Sequence, residues 1–304
     1  MKILKVFFEP ILKAINAFID DNGFQYSAAV SFYTLFSLAP IVMIAVYIAG
    51  FFVGNESVTQ ELTDFMNETV GEQGTDAVLL LVETIQTDSR NILYLILSVA
   101  FLIISATTVF VQFKDSFNRI FNVVSKSDMG LIKLIIDRLM AFGMIILLGI
   151  AMIASLILDS ILVALFGLLS THFEFANLIL ASAGSNLLTL IMIFVAILSM
   201  YSILPDVQIR RSSLIYGSLA TTFLLIIGKF GVGMIIGNSP LNDLSGASSS
   251  IIILLLWVYY SSIIIFFGIE LVKALDERGD WEIEAGRFAR KIKWVDISPK
   301  KKNQ

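Results

Sequence analysis

Six long apolar runs constrain this chain more than any other feature of its sequence. Each is at least about 20 residues long, the length that an α-helix needs to cross a hydrocarbon core of roughly 30 Å. Only 15% of the residues are charged, mean hydropathy is +0.86, and the runs lack the polar faces of soluble helices. An all-α, polytopic membrane protein with six transmembrane helices is predicted. The runs are Tyr26–Val53, Asn91–Val111, Leu139–Leu169, Leu178–Leu204, Ser212–Gly237 and Ala247–Val272.

Basic residues fall almost entirely in alternate loops. Of the 21 Lys and Arg residues, 19 lie before the first run, between the second and third, between the fourth and fifth, or after the sixth. Only Arg90 and Lys229 depart from this pattern. Because Lys and Arg are enriched in cytoplasmic loops, the pattern predicts that both termini are cytoplasmic and that the number of spans is even. A bacterial cytoplasmic (inner) membrane fits this distribution.

The segments outside the spans predict one membrane domain, residues 1–275, followed by a cytoplasmic tail, residues 276–304. Met1–Asp20 has apolar residues at helical spacing, bent at Pro10. It predicts an N-terminal interfacial helix on the inner leaflet, or, equally, a helix that packs against the inner rim of the bundle. In the tail, the last helix is expected to continue to about Lys293 before a disordered end.

The loop of residues 54–90 is strongly acidic, with Arg90 as its only basic residue. Its apolar residues recur at helical spacing on both sides of Gly71 and Gly74, which predicts two amphipathic extracytoplasmic helices. Solvated helix faces are the simpler interpretation of the charges. The alternative is a docking surface for a partner protein, or a vestibule that attracts cations.

Polar groups inside the spans are candidates for a substrate path. The first half of the first run is too polar to face lipid, and Pro40 kinks that helix. An intramembrane charge usually faces the interior and finds a partner, so Lys229 is expected to pair with Asp159. The path candidates are Tyr33, Ser37, Pro40, Asp159 and Lys229. Ordinary helix–helix hydrogen bonds and a purely structural ion pair are the alternatives.

A second set of polar residues lies at the predicted cytoplasmic ends of the second, fourth and sixth runs. Their similar depth predicts a cytoplasmic polar cluster. Ion pairs that hold the helix ends together are the simpler interpretation, and a site that handles an anionic head group is the alternative. The members are Lys114, Asp115, Asn118, Arg119, Asp206 and Glu270.

Glycine is frequent in the fifth run, which contains Gly217, Gly228, Gly231, Gly233 and Gly237. Small residues let helix backbones approach closely in membranes, so tight packing of this helix is predicted. A hinge that moves the helix during transport is the alternative.

Several classes of chemistry have no support in the sequence. There is no cysteine, which excludes disulfides and thiolate metal sites, and the lone His172 has no metal-ligand spacing around it. No phosphate-binding loop or hydrolase motif occurs. No metal and no cofactor are predicted. The formal net charge of −4 gives no indication of a nucleic-acid partner.

Three stretches together resemble one family of bacterial inner-membrane proteins, the BrkB/YihY-like family. They are the small-residue run Ser27–Pro40, the stretch Ser105–Phe121 that ends in Phe-Asn-Arg-Ile-Phe, and the longer region from Tyr201-x-x-Leu-Pro205 to Gly268-x-Glu270-Leu271. The chain departs from the family where a Tyr-Gly pair commonly precedes the sixth span, because Leu244-Ser245-Gly246 stands there.

The resemblance implies six helices, cytoplasmic termini, and no established catalytic activity. Family members have been linked to envelope integrity and to movement of lipids or other solutes, so a transporter or flippase-like protein that handles lipid or another amphiphilic or anionic solute is expected. The alternative is an envelope-integrity scaffold that recruits a periplasmic partner through residues 54–90. An intramembrane enzyme is placed last. A ribonuclease assignment once attached to the family is opposed by an acidic pI of about 5.1.

Overall fold

The computed structural model describes residues 2–37, 63–64, 67, 75–76, 92–125, 130–170, 176–237, 247–279, 283–286 and 289–292. The helices are α1 (Lys2–Asp20), α2 (23–37), α3 (Ile92–Ile120), α4 (Gly130–Ser170), α5 (Ala176–Ile203), α6 (Arg211–Gly237) and α7 (Ala247–Arg278). Four short strands accompany them: β1 (Val123–Ser125), β2 (Val207–Gln208), β3 (Glu284–Ala285) and β4 (Ala289–Lys291).

Three helices of the described part are long and apolar enough to cross a membrane: Ile132–Ser155, Arg211–Val232 and Ile251–Arg278. They correspond to the third, fifth and sixth runs. The second and fourth runs lie in α3 and α5, which are 29 and 28 residues long. The predicted all-α membrane fold is therefore confirmed, while the count of six spans stays a prediction, because Pro40 and the rest of the first run beyond residue 37 lie outside the described residues.

Two small antiparallel ribbons gather at one end of the helices. β1 pairs with β4 in the register Val123↔Lys291, and β2 pairs with β3 in the register Val207↔Ala285. Since β1 directly follows α3 and β2 directly follows α5, the segment after α7 is tied to the ends of two other helices. We call this the ribbon end.

The predicted helical continuation to about Lys293 is wrong, because α7 ends at Arg278. The backbone N–H of Gly279 donates to the carbonyls of Leu275 (3.2 Å) and Asp276 (3.0 Å), the kind of bonding that closes a helix C-terminus. The residues beyond it that the structure describes form β3 and β4 instead. The tail therefore packs against the membrane domain in its described part.

The N-terminal helix α1 packs against the end of α7. Ala14 is fully buried beside Leu271 and Ala274, and Lys13 forms an ion pair with Glu277. These contacts agree with the second of the two predictions for this segment, a helix that packs against the rim of the bundle. The opposite side of α1 remains apolar and exposed, as an interfacial helix requires. Its exposed residues are Ile11, Leu12, Ile15 and Ile19.

Glycines bring α6 and α7 into close contact, in agreement with the tight packing expected of the fifth run. A Cβ atom at Gly217 would overlap Val272 on α7. A Cβ atom at Gly228 would lie 2.6 Å from the ring of Tyr260, also on α7. Of the two predicted outer helices, only residues 63–64, 67 and 75–76 are described, and these are helical.

Candidate functional site

Asp206 is the centre of a polar site at the ribbon end, just after α5. Its Oδ1 atom accepts a hydrogen bond from Lys114 Nζ at 2.8 Å. Its Oδ2 atom accepts from Lys133 Nζ at 2.8 Å and from Asn118 Nδ2 at 3.0 Å. The one carboxylate thus connects α3, α4 and the end of α5.

The backbone of Asp206 is bonded as well. Its N–H donates to Asn118 Oδ1 at 2.7 Å, so Asn118 bonds both the side chain and the main chain of Asp206. Its carbonyl accepts from the N–H of Gly286 at 2.7 Å, which joins the β2–β3 ribbon to the site. Every hydrogen-bonding group of Asp206 is therefore used, and the residue is fixed in place.

A second carboxylate balances the charge of the two lysines. Asp137 Oδ1 lies 3.1 Å from Lys114 Nζ and 3.7 Å from Lys133 Nζ. The Lys114 side chain is 2% exposed and the other three are 12–13% exposed. We call Lys114, Asn118, Lys133, Asp137 and Asp206 the lysine cluster. With two positive and two negative charges, it is a neutral ion-pair network that holds three helices together.

The electrostatics of the lysine cluster predict a loss of stability in acid. Burial alone would raise the pKa of Asp206, but hydrogen bonds and charges from Lys114 and Lys133 outweigh it and hold that pKa below its ordinary value. The stabilisation is therefore complete above the unfolded pKa of about 4 and is lost as the pH falls through the lower folded pKa. We expect the melting temperature of the detergent-solubilised protein to fall steeply below about pH 4. Asp206→Asn should show a flatter profile there, and superimposable profiles would contradict the assignment.

A separate charged group lies where α7 meets the α1–α2 turn. Lys273 Nζ lies 2.8 Å from Asp21 Oδ2 and 3.6 Å from Glu270 Oε2. Glu270 is 1% exposed, and neither of its carboxylate oxygens has a hydrogen-bond partner among the described residues. We call these three residues the Glu270 group. It combines a well-bonded lysine with a buried acid that lacks hydrogen bonds.

The structure brings together three of the six residues of the predicted cytoplasmic polar cluster, namely Lys114, Asn118 and Asp206. Asp115 and Arg119 make none of the hydrogen bonds of the lysine cluster, although Asp115 lies near enough for the charges of its lysines and of Asp137 to act on it. Glu270 belongs to the Glu270 group instead, which corrects the prediction of one connected cluster. Similar depth along a helix does not fix the direction in which a side chain points around it.

Two members of the lysine cluster were not predicted. Lys133 and Asp137 lie one turn apart on α4 and face the same carboxylate network. The signal that could have found them is their i, i+4 spacing at the start of a long apolar helix, where such a pair faces a common side.

The substrate-path candidates are not brought into one buried region. Ser37 is buried, whereas Tyr33 is 39% exposed beside Phe32 on α2, and Lys229 is exposed on α6. α2 buries three serines and leaves Phe24, Phe32 and Phe36 exposed, while its Tyr26 packs against Phe266 of α7. The pairing of Lys229 with Asp159 stays a prediction, because the side chain of Asp159 lies outside the described residues. Pro40, the remaining candidate, lies outside them as well.

The lysine cluster and the Glu270 group differ in what they can do chemically. Within the described ranges, no group of three or more His, Cys, Asp or Glu side chains is arranged to hold a metal ion. The lysine cluster is internally neutral and fully bonded at Asp206, so it acts as a fixed joint. Among the described acids, Glu270 is the one with both carboxylate oxygens buried and without a hydrogen bond, so its ionisation is costly.

The chain matches known membrane proteins over most of its length. The sequence profile of the family described as Virulence factor BrkB matches residues 14–292. The chain is 24% identical over 212 residues to the UPF0761 membrane proteins of Neisseria meningitidis serogroup B and serogroup C, covering 69% of this chain and 49% of each relative. It thus spans about half the length of these curated relatives. No solved structure matches it significantly. The extent of the profile match, together with the apolar helices, shows that the chain belongs to the BrkB family of membrane proteins.

Proposed function

We propose that this protein is a transporter that moves lipid, or another amphiphilic or anionic solute, across the bacterial inner membrane. The observation that carries the proposal is Glu270, a carboxylate that is 1% exposed at the end of a candidate membrane span. Ionisable groups within membrane spans are costly and mark substrate or ion pathways more often than they serve stability.

The surroundings of Glu270 favour a functional role over a purely structural one. Its only ion-pair partner among the described residues is Lys273 at 3.6 Å, and that lysine lies closer to Asp21, at 2.8 Å. A buried carboxylate oxygen without a hydrogen bond costs free energy, and both oxygens of Glu270 are in this state, whereas Asp137 and Asp276 have one such oxygen each. A carboxylate that changes between its charged and neutral forms, or that binds and releases a substrate, has a functional reason to lack permanent hydrogen bonds.

Small polar side chains are buried in several of the helices. α2 buries Ser27, Ser31 and Ser37, and α6 and α7 bury further hydroxyl groups. Ser27 and Ser31 bond to carbonyls within their own helix, so these hydroxyls do not depend on a neighbouring helix for a partner. α2 could therefore separate from its neighbours without leaving these two hydroxyls unsatisfied, which suits a transporter. The hydroxyl residues of α6 and α7 are Ser218, Thr221, Thr222 and Ser262.

The proposal includes an orientation. The ribbon end gathers the predicted cytoplasmic segments, and most of the basic residues of the chain lie in them. We therefore place the ribbon end in the cytoplasm, with α1 along the inner leaflet. Membrane lipids are then the partners that the exposed apolar side of α1 contacts.

Glu270→Gln should abolish transport while leaving the protein folded, because the amide keeps the shape of the side chain and cannot ionise. Translocation of a fluorescent phospholipid in proteoliposomes, followed by dithionite quenching, measures the rate. The matched control is Glu277→Gln on the same helix, where the acid is 38% exposed. We expect the wild type and the control to be at least about tenfold faster than Glu270→Gln, as for loss of one essential charged contact.

Two results would contradict this proposal. The first is wild-type protein that moves neither the fluorescent phospholipid nor a panel of anionic amphiphiles faster than empty liposomes. The second is a Glu270→Gln variant as fast as the wild type. The scaffold alternative depends on residues 54–90, of which only a few lie within the described part of the chain.

A further inference from the structure

A pocket of about 400 Å³ lies at the ribbon end, away from the lysine cluster. Its wall combines the end of α7 (Lys273 and Glu277), the turn after α3 (Phe121 and Asn122) and the end of β4 with the residue before β3 (Lys291 and Ile283). Pockets that hold small ligands have volumes from about 300 Å³ upward and combine apolar walls with a few polar groups.

Two lysines from different elements line the pocket. Lys291 Nζ donates to the carbonyl of Ile283 at 3.1 Å, and Lys273 Nζ donates to Asp21 at 2.8 Å. An ammonium group has three N–H donors, so the described bonds leave donors on both lysines. Lys273 also lies 3.6 Å from Glu270, and Glu277 in the wall forms an ion pair with Lys13. Lys291 has no acidic partner among the described residues, and its charge favours an anion.

The turn that forms one wall of the pocket closes the C-terminus of α3. Asn122 has a φ of 54° and its N–H donates to the carbonyl of Arg119 at 2.9 Å, as is typical of an asparagine that ends a helix. Its carbonyl accepts a hydrogen bond from the N–H of Ile292 at 2.8 Å, which fixes the turn to the end of β4. The turn is therefore a fixed part of the pocket wall.

We propose that this pocket binds a small anion that carries a phosphate or carboxylate group. The anionic group lies between Lys273 and Lys291, and the uncharged part of the ligand packs on Phe121 and Ile283. Two sources supply this chemistry: a soluble phosphate ester or the head group of an anionic phospholipid. The pocket shares Lys273 with the Glu270 group, whereas Lys291, the residue changed in the test below, takes no part in that group, so the test is separate from the proposed transport.

Binding to the purified full-length protein tests the proposal. The soluble probes are inorganic phosphate and glycerol 3-phosphate, measured by calorimetry in detergent. The lipid probe is phosphatidylglycerol, compared with phosphatidylcholine, in nanodiscs containing the protein. The test variant is Lys291→Gln. The matched control is Arg290→Gln, since Arg290 is exposed on the same strand and does not line the pocket.

We expect Lys291→Gln to weaken binding about tenfold or more, as for loss of one charge-assisted hydrogen bond, while Arg290→Gln binds like the wild type. Lys291-dependent binding of glycerol 3-phosphate identifies a soluble ligand. The same dependence seen only with phosphatidylglycerol identifies a lipid head group. Either result supports the pocket.

Equal binding by wild type and Lys291→Gln, or an equal loss in Arg290→Gln, would overturn the proposal. So would the failure of all three anionic probes to bind wild-type protein at millimolar concentration. A comparison that needs no variant provides a further check. Glycerol 3-phosphate should raise the melting temperature of the wild type more than the same concentration of glycerol, and equal shifts would overturn the proposal even if Lys291→Gln does not fold.

Discussion

Asp206→Ala should destabilise the protein by about 3–5 kcal/mol, the usual cost of removing one partner from a buried ion pair. The change leaves Lys114, Lys133 and the amide of Asn118 without the acceptor that each contacts at 2.8–3.0 Å. Asp137 is then the one acid of the lysine cluster left beside both lysines, with its Oδ1 atom 3.1 Å from Lys114 Nζ and 3.7 Å from Lys133 Nζ. Two buried cations would then compete for one carboxylate.

The measurement is the yield of monodisperse protein after detergent extraction, together with its melting temperature. Glu277→Ala is the control, because its ion pair with Lys13 has side chains that are 38% and 55% exposed. Exposed ion pairs contribute about 0–1 kcal/mol, so this variant should behave like the wild type. Similar losses in the two variants would show that the lysine cluster does not stabilise the helix ends.

The membrane fold was predictable because its cause is local in the sequence. A helix that crosses lipid must satisfy its own backbone and present apolar side chains along its length, so α4, α6 and α7 are visible as unbroken apolar runs. The β1–β4 and β2–β3 ribbons give no such signal. Their strands are two or three residues long, too short for an alternating pattern, and they pair residues that are far apart in the chain.

The lysine cluster was predictable only in part, for geometric reasons. Lys114 and Asn118 are one helical turn apart on α3, and Asp206 follows the end of the fourth run, so a meeting at one depth could be inferred. Which acids and bases meet at that depth depends on how each helix is rotated about its axis. Hydropathy does not fix this rotation. The sequence therefore predicts one cluster that contains both Glu270 and Asp206, whereas in the structure Glu270 lies beside Lys273.

Gly268→Ala should destabilise the protein by about 1–3 kcal/mol, although alanine is the better helix former. A Cβ atom at this position of α7 would overlap Thr221 Oγ1 and the hydroxyl of Tyr201. Both side chains are fully buried, and their hydroxyls lie 3.1 Å apart. The Tyr201 hydroxyl also donates to the carbonyl of Ile265 at 2.6 Å. The methyl group would therefore force apart the contact that joins α5, α6 and α7.

Gly143→Ala is the matched control, since it lies in the candidate span of α4 and a Cβ atom there would meet nothing within 4 Å. It should be neutral or stabilising by up to about 1 kcal/mol from helix propensity. Melting temperatures of the two variants separate the steric effect from the general effect of glycine. Two equal shifts would mean that α7 does not approach Tyr201 and Thr221 as described.

A double-mutant cycle then locates the overlap. In the wild type, Thr221→Ala removes a hydroxyl that lies near Tyr201 and donates to the carbonyl of Gly217 at 2.8 Å, so it should cost stability. In the Gly268→Ala background the same change removes the atom that the new methyl group overlaps, so its cost should shrink or reverse sign. Residues in contact show coupling energies of about 0.5–3 kcal/mol, whereas distant pairs add within about 0.5 kcal/mol. Additive effects would mean that the strain of Gly268→Ala arises elsewhere. Coupling of the expected sign would establish that these three helices meet at Gly268 without room for a single methyl group.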